Sequence, residues 1–184
     1  KFNALAEKAA KPKWRDRVSE LYINFLLSNP PTHVVNMVSN TLTAIAQLPE
    51  FATGAAIGAA RKAVMREKAQ DRVLATEVGA RAIGLLQGAK EGAQMFAKAL
   101  RTGEASDFVS KVEGDEYKAI GGKLGEAIRV PTRLLTAEDE LFKGIARRME
   151  LNAQAVRTAQ REGLKGDAAK ARIAACGPRP MQQA

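Results

Sequence analysis

Histidine and cysteine, which supply many of the nucleophiles, general bases and metal ligands in proteins, each occur once in this sequence, as His33 and Cys176. A histidine-based metal cluster needs several histidines, and a catalytic triad or a Cys–His pair would need its partners brought to this one histidine. A single histidine therefore argues against all three kinds of site. His33 follows Pro30 and Pro31, where we expect a partly exposed structural residue at a helix N-terminus. We therefore expect a protein that is not an enzyme, with no cofactor, no metal and no small-molecule substrate.

Three consecutive acidic residues, Glu138, Asp139 and Glu140, are the other candidates for acid–base chemistry. They follow Thr136, and the run from Thr136 to Asp139 resembles a capping box at the start of a helix. Acidic side chains in a first turn are favoured by the helix dipole. Capping by Thr136 therefore explains this cluster without a catalytic role.

Three glycines, Gly84, Gly88 and Gly92, recur at four-residue steps inside a long helix predicted over residues 71–101. They do not form a phosphate loop or a dinucleotide fingerprint, because those motifs follow a strand. Each glycine inside a helix costs roughly 1 kcal/mol relative to alanine. The line therefore predicts a close helix contact, within the chain or between copies; the alternative is an Ala/Gly-rich helix of drifting composition.

A formal net charge of +9 favours an anionic partner, which can be nucleic acid, acidic lipid or an acidic protein surface. Basic residues gather around the single tryptophan and after Ala60. The predicted contacts to an anionic partner are Lys11, Lys13, Trp14, Arg15, Arg17, Arg61 and Lys62. The alternative for the first group is a solvated helix face with a buried Trp14. No known nucleic-acid-binding module is recognisable, so any DNA binding is expected to be non-specific.

The segment from Thr32 to Ala60 carries one formal charge, Glu50. Pro49 divides it, which predicts a helical hairpin over residues 32–60. A polar line runs along the first half at helical spacing: Asn36, Asn40, Thr43 and Gln47. Such a hairpin suits the interior of a helical assembly or a membrane surface. No segment offers about 20 uninterrupted apolar residues, so we predict no ordinary transmembrane helix.

Strand patterns are nearly absent, and helical periodicity is found along most of the chain. The sequence therefore predicts an all-α fold of five to seven helices, with helical hairpins and one long Ala/Gly-rich helix. We expect a helical region over 1–104, a Gly-rich connection over 105–131, and C-terminal helices with a Pro-rich tail over 132–184. The first residue is Lys1 and not methionine, so a longer parent polypeptide is expected.

Apolar residues fall on one stripe in each predicted helix. A first helix from Trp14 to Ser28 has Val18, Leu21, Tyr22, Phe25 and Leu26 on its stripe, and the segment after Thr32 has Val34, Val35, Val38, Leu42 and Ile45. The helix after Thr136 has Leu141, Phe142, Ile145, Met149, Ala153 and Val156, and Gly163 or Gly166 should end it.

Two stretches resemble a known family. They are Leu-Leu-Ser-Asn-Pro-Pro-Thr-His-Val-Val-Asn from Leu26 to Asn36, continuing to Ser39-Asn40, and Arg-Val-Pro-Thr-Arg-Leu-Leu-Thr-Ala-Glu-Asp-Glu-Leu-Phe-Lys from Arg129 to Lys143. Both resemble segments of the very large internal virion proteins of tailed bacteriophages, also called ejection or pilot proteins. The resemblance covers roughly residues 20 to 162, and its motifs are structural signatures.

The resemblance implies a helical virion protein stored near the portal, in the virion interior, and expelled with the genome into the host cell envelope. Such proteins are thought to help build a conduit for DNA. The implied partners are other copies, other virion proteins near the portal, DNA and the host membrane. Some relatives carry a peptidoglycan-cleaving or polymerase domain, which nothing in this sequence matches. Two alternatives remain: a helical scaffold or adaptor that binds another protein, and a non-catalytic segment of a multidomain enzyme.

Overall fold

A computed structural model describes residues 12–65, 72–103, 105, 119–164, 167, 168 and 171. These residues form five helices and no strand, which confirms the all-α prediction. The helices are α1 (Trp14–Leu27), α2 (Pro30–Met65), α3 (Ala75–Thr102), α4 (Gly122–Ile128) and α5 (Val130–Arg161).

The chain divides into two compact units. Unit 1 comprises Lys1–Val38 and Gln94–Leu141, and unit 2 comprises Ser39–Ala93 and Phe142–Ala184. Helix α1, the start of α2 and the start of α5 belong to unit 1. Most of α2 and α3 and the second part of α5 belong to unit 2.

The predicted hairpin over residues 32–60 is wrong, because α2 continues through Pro49 as one helix. A proline inside a helix removes one backbone N–H donor, and the rest of a 36-residue helix can absorb this loss. The Thr53 hydroxyl donates to the Pro49 carbonyl over 2.8 Å. Pro30 and Pro31 begin α2, where backbone N–H groups need no intrahelical partner.

The predicted helix start at Thr136 is also wrong. Helix α5 begins at Val130 and runs unbroken through Pro131 and Thr136. The Thr136 hydroxyl donates over 3.0 Å to the carbonyl of Thr132, one turn earlier, and so caps nothing. Pro131 is tolerated because it lies in the first turn, where an N–H group would have no helical partner.

The predicted Gly-rich connection over 105–131 is wrong at its end, because α4 and the first residues of α5 lie there. Residues 106–118 of this connection lie outside the described residues, as do most residues after Leu164, including the Pro-rich tail. Of the two helix ends predicted for α5, Gly163 and Gly166, the first is confirmed. Its φ of 70° is the left-handed conformation common after a helix C-terminus.

In unit 2, α3 and α5 pack antiparallel, because contacting positions rise along one helix as they fall along the other. The predicted apolar stripe of α5 supplies much of the core, since Ile145, Met149, Ala153 and Val156 are all buried. The face that α3 buries contains Ala80, Gly84 and Gly88, together with the charged residues Glu77 and Arg81.

Candidate functional site

Helix α1 turns its polar side inward and its apolar side outward. Glu20 and Asn24 are 1% and 6% exposed, whereas Trp14 and Phe25 are 72% and 73% exposed. At 100° per residue, Glu20 and Asn24 point nearly opposite to the apolar stripe. The whole stripe is exposed: Val18, Leu21, Tyr22, Phe25 and Leu26. This orientation is the reverse of that of an ordinary surface helix, which buries its apolar face.

The first turns of α2 show the same arrangement within unit 1. Val34, Val35 and Val38 are more than half exposed, while His33 and Asn36 are only partly exposed. Exposed apolar residues scattered singly are ordinary, but a continuous helix face of them marks an interaction surface. We call the α1 stripe with Trp14 the outer apolar face.

Glu20 is hydrogen-bonded by two residues of unit 1 that lie about 100 positions further along the sequence. Its Oε1 accepts from Nε of Arg129 over 2.6 Å, and its Oε2 accepts from the backbone N–H of Ile120 over 2.8 Å. Arg129 also donates to the Ile120 carbonyl. A buried carboxylate is tolerated when paired and hydrogen-bonded in this way. Four residues along α1, the amide oxygen of Asn24 accepts from the Thr132 hydroxyl over 2.6 Å.

A second buried carboxylate, Glu138, lies between two side chains of α2. Its Oε1 lies 2.8 Å from Nδ1 of His33, and its Oε2 accepts from Nδ2 of Asn36 over 2.7 Å. The other ring nitrogen of His33, Nε2, lies 2.8 Å from the carbonyl oxygen of Leu27, the last residue of α1. We call Glu138, His33, Asn36 and the Leu27 carbonyl the Glu138 cluster. It ties the end of α1 and the start of α2 to α5.

These contacts overturn the dipole explanation of the acidic cluster. Glu138 and Glu140 lie well inside α5 and are 3% and 0% exposed, whereas Asp139 is exposed. The contacts given above account for Glu138 by long-range hydrogen bonds, not by capping. They also engage both nitrogens of His33 with oxygen acceptors, an arrangement that holds the ring in place and does not direct it at a nucleophile.

Unit 2 contains a buried carboxylate on α3. Glu77 is completely buried, and its Oε2 accepts from Nη2 of Arg157 over 2.7 Å. Nε of Arg157 approaches the second oxygen at 3.4 Å, so the guanidinium faces both carboxylate oxygens. Nearby, the amide of Gln160 donates to the Thr76 hydroxyl over 2.8 Å. These contacts fix the register of α3 against α5.

Arg81, one turn after Glu77, is also buried. Its Nη2 donates to Oε2 of Glu150 over 2.6 Å, and its guanidinium lies 3.7 Å from the centroid of the Phe51 ring. The ring therefore offers a cation–π contact from α2. Burial opposes ionisation of Glu150, but hydrogen bonds from Arg81 and Gln154 and the charges of Arg81 and Arg157 together lower the pKa of Glu150 below its ordinary value.

Two of the three aligned glycines lie in a helix contact within the chain. A Cβ atom on Gly84 would lie 2.7 Å from the Cα of Met149, and one on Gly88 would lie 2.7 Å from the Cα of Ile145. Gly92 is also buried. Only the missing side chains let the α3 backbone approach α5 so closely.

The polar line on α2 divides. Asn36 joins the Glu138 cluster, and Asn40 and Gln47 are partly buried in unit 2. Thr43 is exposed, and its hydroxyl donates to the Ser39 carbonyl over 2.8 Å.

The structure describes five of the cationic residues predicted to contact an anionic partner, and all five are exposed: Lys13, Arg15, Arg17, Arg61 and Lys62. Lys11 lies outside the described residues. The alternative of a buried Trp14 is wrong, because this ring is exposed beside the basic group.

Sequence reasoning missed the buried charges Glu20, Glu77 and Arg81. A weak signal exists in the four-residue spacing of Glu20 with Asn24 and of Glu77 with Arg81, which aligns each pair on one helix face. The same spacing is common on solvated faces, so it does not by itself distinguish an inward from an outward pair.

Comparisons with protein families, with curated proteins and with solved structures find no match to this chain. In the part of the chain that the structure describes, no helix is both long and apolar enough to cross a membrane. Nor do the described histidine and carboxylate side chains form a group of three or more that could hold a metal ion.

Proposed function

We propose that the chain is a non-catalytic helical segment of an internal virion protein of a tailed bacteriophage. In this proposal it takes part in genome ejection across the host envelope through helix packing and through contact with DNA or membrane. Its partners are further copies and other virion proteins near the portal. It is located in the virion interior before ejection and in the host envelope afterwards.

The observation that carries the proposal is the outer apolar face of α1. A helix that buries Glu20 and Asn24 while exposing Phe25 and Trp14 leaves much of its apolar area in water. Each Å² of that area covered by a partner contributes about 25 cal/mol. A role in which lipid or another helix covers this face accounts for the inverted orientation.

The two stretches that resemble phage internal virion proteins also supply the Glu138 cluster. Leu27, His33 and Asn36 come from the first stretch, and Glu138 comes from the second. Residues of the two stretches are thus hydrogen-bonded partners in one cluster. This supports the interpretation that the two stretches resemble the phage proteins because they have a structural role.

The basic residues next to the outer apolar face favour an anionic surface. Lys13, Arg15 and Arg17 surround the exposed Trp14 at the start of α1. Near an anionic membrane each such cation contributes about 1 kcal/mol. Tryptophan, like tyrosine, is enriched at membrane–water interfaces.

Vesicle flotation and light scattering on the full chain test the proposed contacts. We expect the wild-type chain to self-associate or to float with anionic vesicles, and the double variant Leu21→Ser/Phe25→Ser to lose this property. The matched control is Leu86→Ser, which replaces an exposed leucine on α3. A monomeric wild-type chain that binds neither vesicles nor duplex DNA would contradict the proposed contacts.

Mass spectrometry of purified virions tests the proposed location. Peptides of this chain in DNA-filled particles, protected from external protease, would support an internal virion protein. Their absence, combined with capture of one stoichiometric protein partner through the outer apolar face, would instead favour the scaffold or adaptor alternative.

A further inference from the structure

The Glu138 cluster contains more acceptors than a neutral histidine can satisfy. Nε2 of His33 faces the Leu27 carbonyl, and Nδ1 faces the carboxylate of Glu138, each over 2.8 Å. A neutral imidazole carries one N–H group and can therefore donate to only one of them. The second contact needs another proton, either on the ring or on the carboxyl group.

We propose that His33 and Glu138 share one extra proton and form a proton-dependent latch, which ties the end of α1 and the start of α2 to α5. With the proton bound, every contact of the cluster is a hydrogen bond. When the proton leaves, either the contact to Glu138 or the contact to Leu27 becomes an opposition of two acceptors. The cluster then retains one of the two contacts of the His33 ring, together with the hydrogen bond from Asn36 to Glu138.

The ring faces two helix ends and one carboxylate. The carbonyl of Leu27 belongs to the C-terminal turn of α1, where the helix dipole favours a cation. The start of α2, where His33 itself lies, opposes a cation for the same reason. The buried carboxylate of Glu138 is in direct contact with the ring.

Several charged groups on the packed helices have their contacts outside the Glu138 cluster. On α1, Glu20 is engaged by Arg129, and Asp16 accepts from the Lys13 N–H at the helix start. On α5, Arg133 pairs with Glu126. Asp139 and Glu140 lie about 100° and 200° around α5 from Glu138, so they face other directions.

The latch predicts a pH dependence with a definite sign. Its contribution is complete while the extra proton is bound and falls as rising pH removes that proton. Histidine is the side chain that ordinarily changes charge between about pH 5 and 8, and His33 is the single histidine of the chain. This inference does not depend on the proposed function.

Glu138→Gln is the decisive variant. A glutamine of the same shape donates its amide to Nδ1 of a neutral His33, while its oxygen accepts from Asn36, so every partner is satisfied without the extra proton. We expect the melting temperature of the wild type to fall by about 2 to 4 °C between about pH 5 and 8, as one hydrogen bond is lost. For Glu138→Gln it should stay level or rise. Asp139→Asn, which changes an exposed neighbour, should keep the wild-type slope.

Nitrogen NMR of the ring gives a second, direct measurement on the wild-type chain, where one histidine makes assignment immediate. At a pH where the wild-type ring carries two protons, we expect the ring of Glu138→Gln to carry one. A wild-type ring that stays singly protonated next to an ionised Glu138 at about pH 5 would overturn the latch. So would equal pH slopes in the wild type and in Glu138→Gln.

Discussion

Gly84 and Met149 bring α3 and α5 into backbone contact, because a Cβ atom on Gly84 would lie 2.7 Å from the Cα of Met149. We therefore expect Gly84→Ala to destabilise the chain by about 1 to 3 kcal/mol, since the helices must separate. Gly79→Ala is the matched control on the same helix. A methyl group on Gly79 would meet no neighbouring atom within 4 Å, and alanine should stabilise there by up to about 1 kcal/mol. Urea unfolding measures both; equal signs would contradict the contact.

Asn24 and Phe25 are neighbours with opposite surroundings, so they test the inverted orientation of α1. Phe25→Ser should change the free energy of unfolding by no more than about 0.5 kcal/mol, because the ring is exposed. Asn24→Leu should cost about 1 to 3 kcal/mol, because the Thr132 hydroxyl loses its acceptor. Thermal unfolding of the two variants is the measurement. The reverse order would mean that α1 buries its apolar face.

Thr136 lies inside α5, so its replacement should have little effect. Thr136→Ala removes a hydroxyl that donates to a carbonyl already within the helix, and alanine has the higher helix propensity. We expect a change within about 0.5 kcal/mol in urea unfolding. A loss of about 1 kcal/mol or more would be the value for an N-cap and would count against the continuous helix.

Arg157 compensates the charge of the fully buried Glu77. Arg157→Leu should cost up to about 3 kcal/mol, because it leaves a buried carboxylate without its partner. Adding Glu77→Leu should recover much of this loss, since the double variant buries no charge. A double-mutant cycle in urea measures the coupling free energy between Glu77 and Arg157. An Arg157→Leu variant as stable as the wild type would show that Glu77 does not depend on Arg157.

Glu150 contributes to acid sensitivity with a predictable sign. Its pKa in the folded chain is lower than its ordinary value of 4.5, so its contribution is present above that pH and is lost as pH falls through the folded-state value. We expect unfolding free energy to decrease below about pH 4.5, and Glu150→Gln to flatten this decrease. Acid titration of both proteins at constant ionic strength is the check, and parallel curves would remove Glu150 as a cause.

Local sequence predicted the helical content well. The stripe of α5 from Ile145 to Val156, the bounds of α1, the end of α3 and the end of α5 at Gly163 all depend on residues within one or two turns of each other. Periodicity, propensity and helix-ending glycines act over that range. For the same reason the all-α class was accessible without any tertiary information.

Tertiary contacts decided which way each helix faces. Glu20 became a buried residue through Arg129, which lies 109 positions away, and His33 was engaged by Glu138, 105 positions away. Local periodicity shows that a helix has a polar face and an apolar face. It does not show that a charged residue far away in the sequence will pair with the polar face and bury it. Pro49 and Thr136 were misjudged on similar grounds, because tertiary packing can keep a helix continuous through a residue that locally marks a boundary.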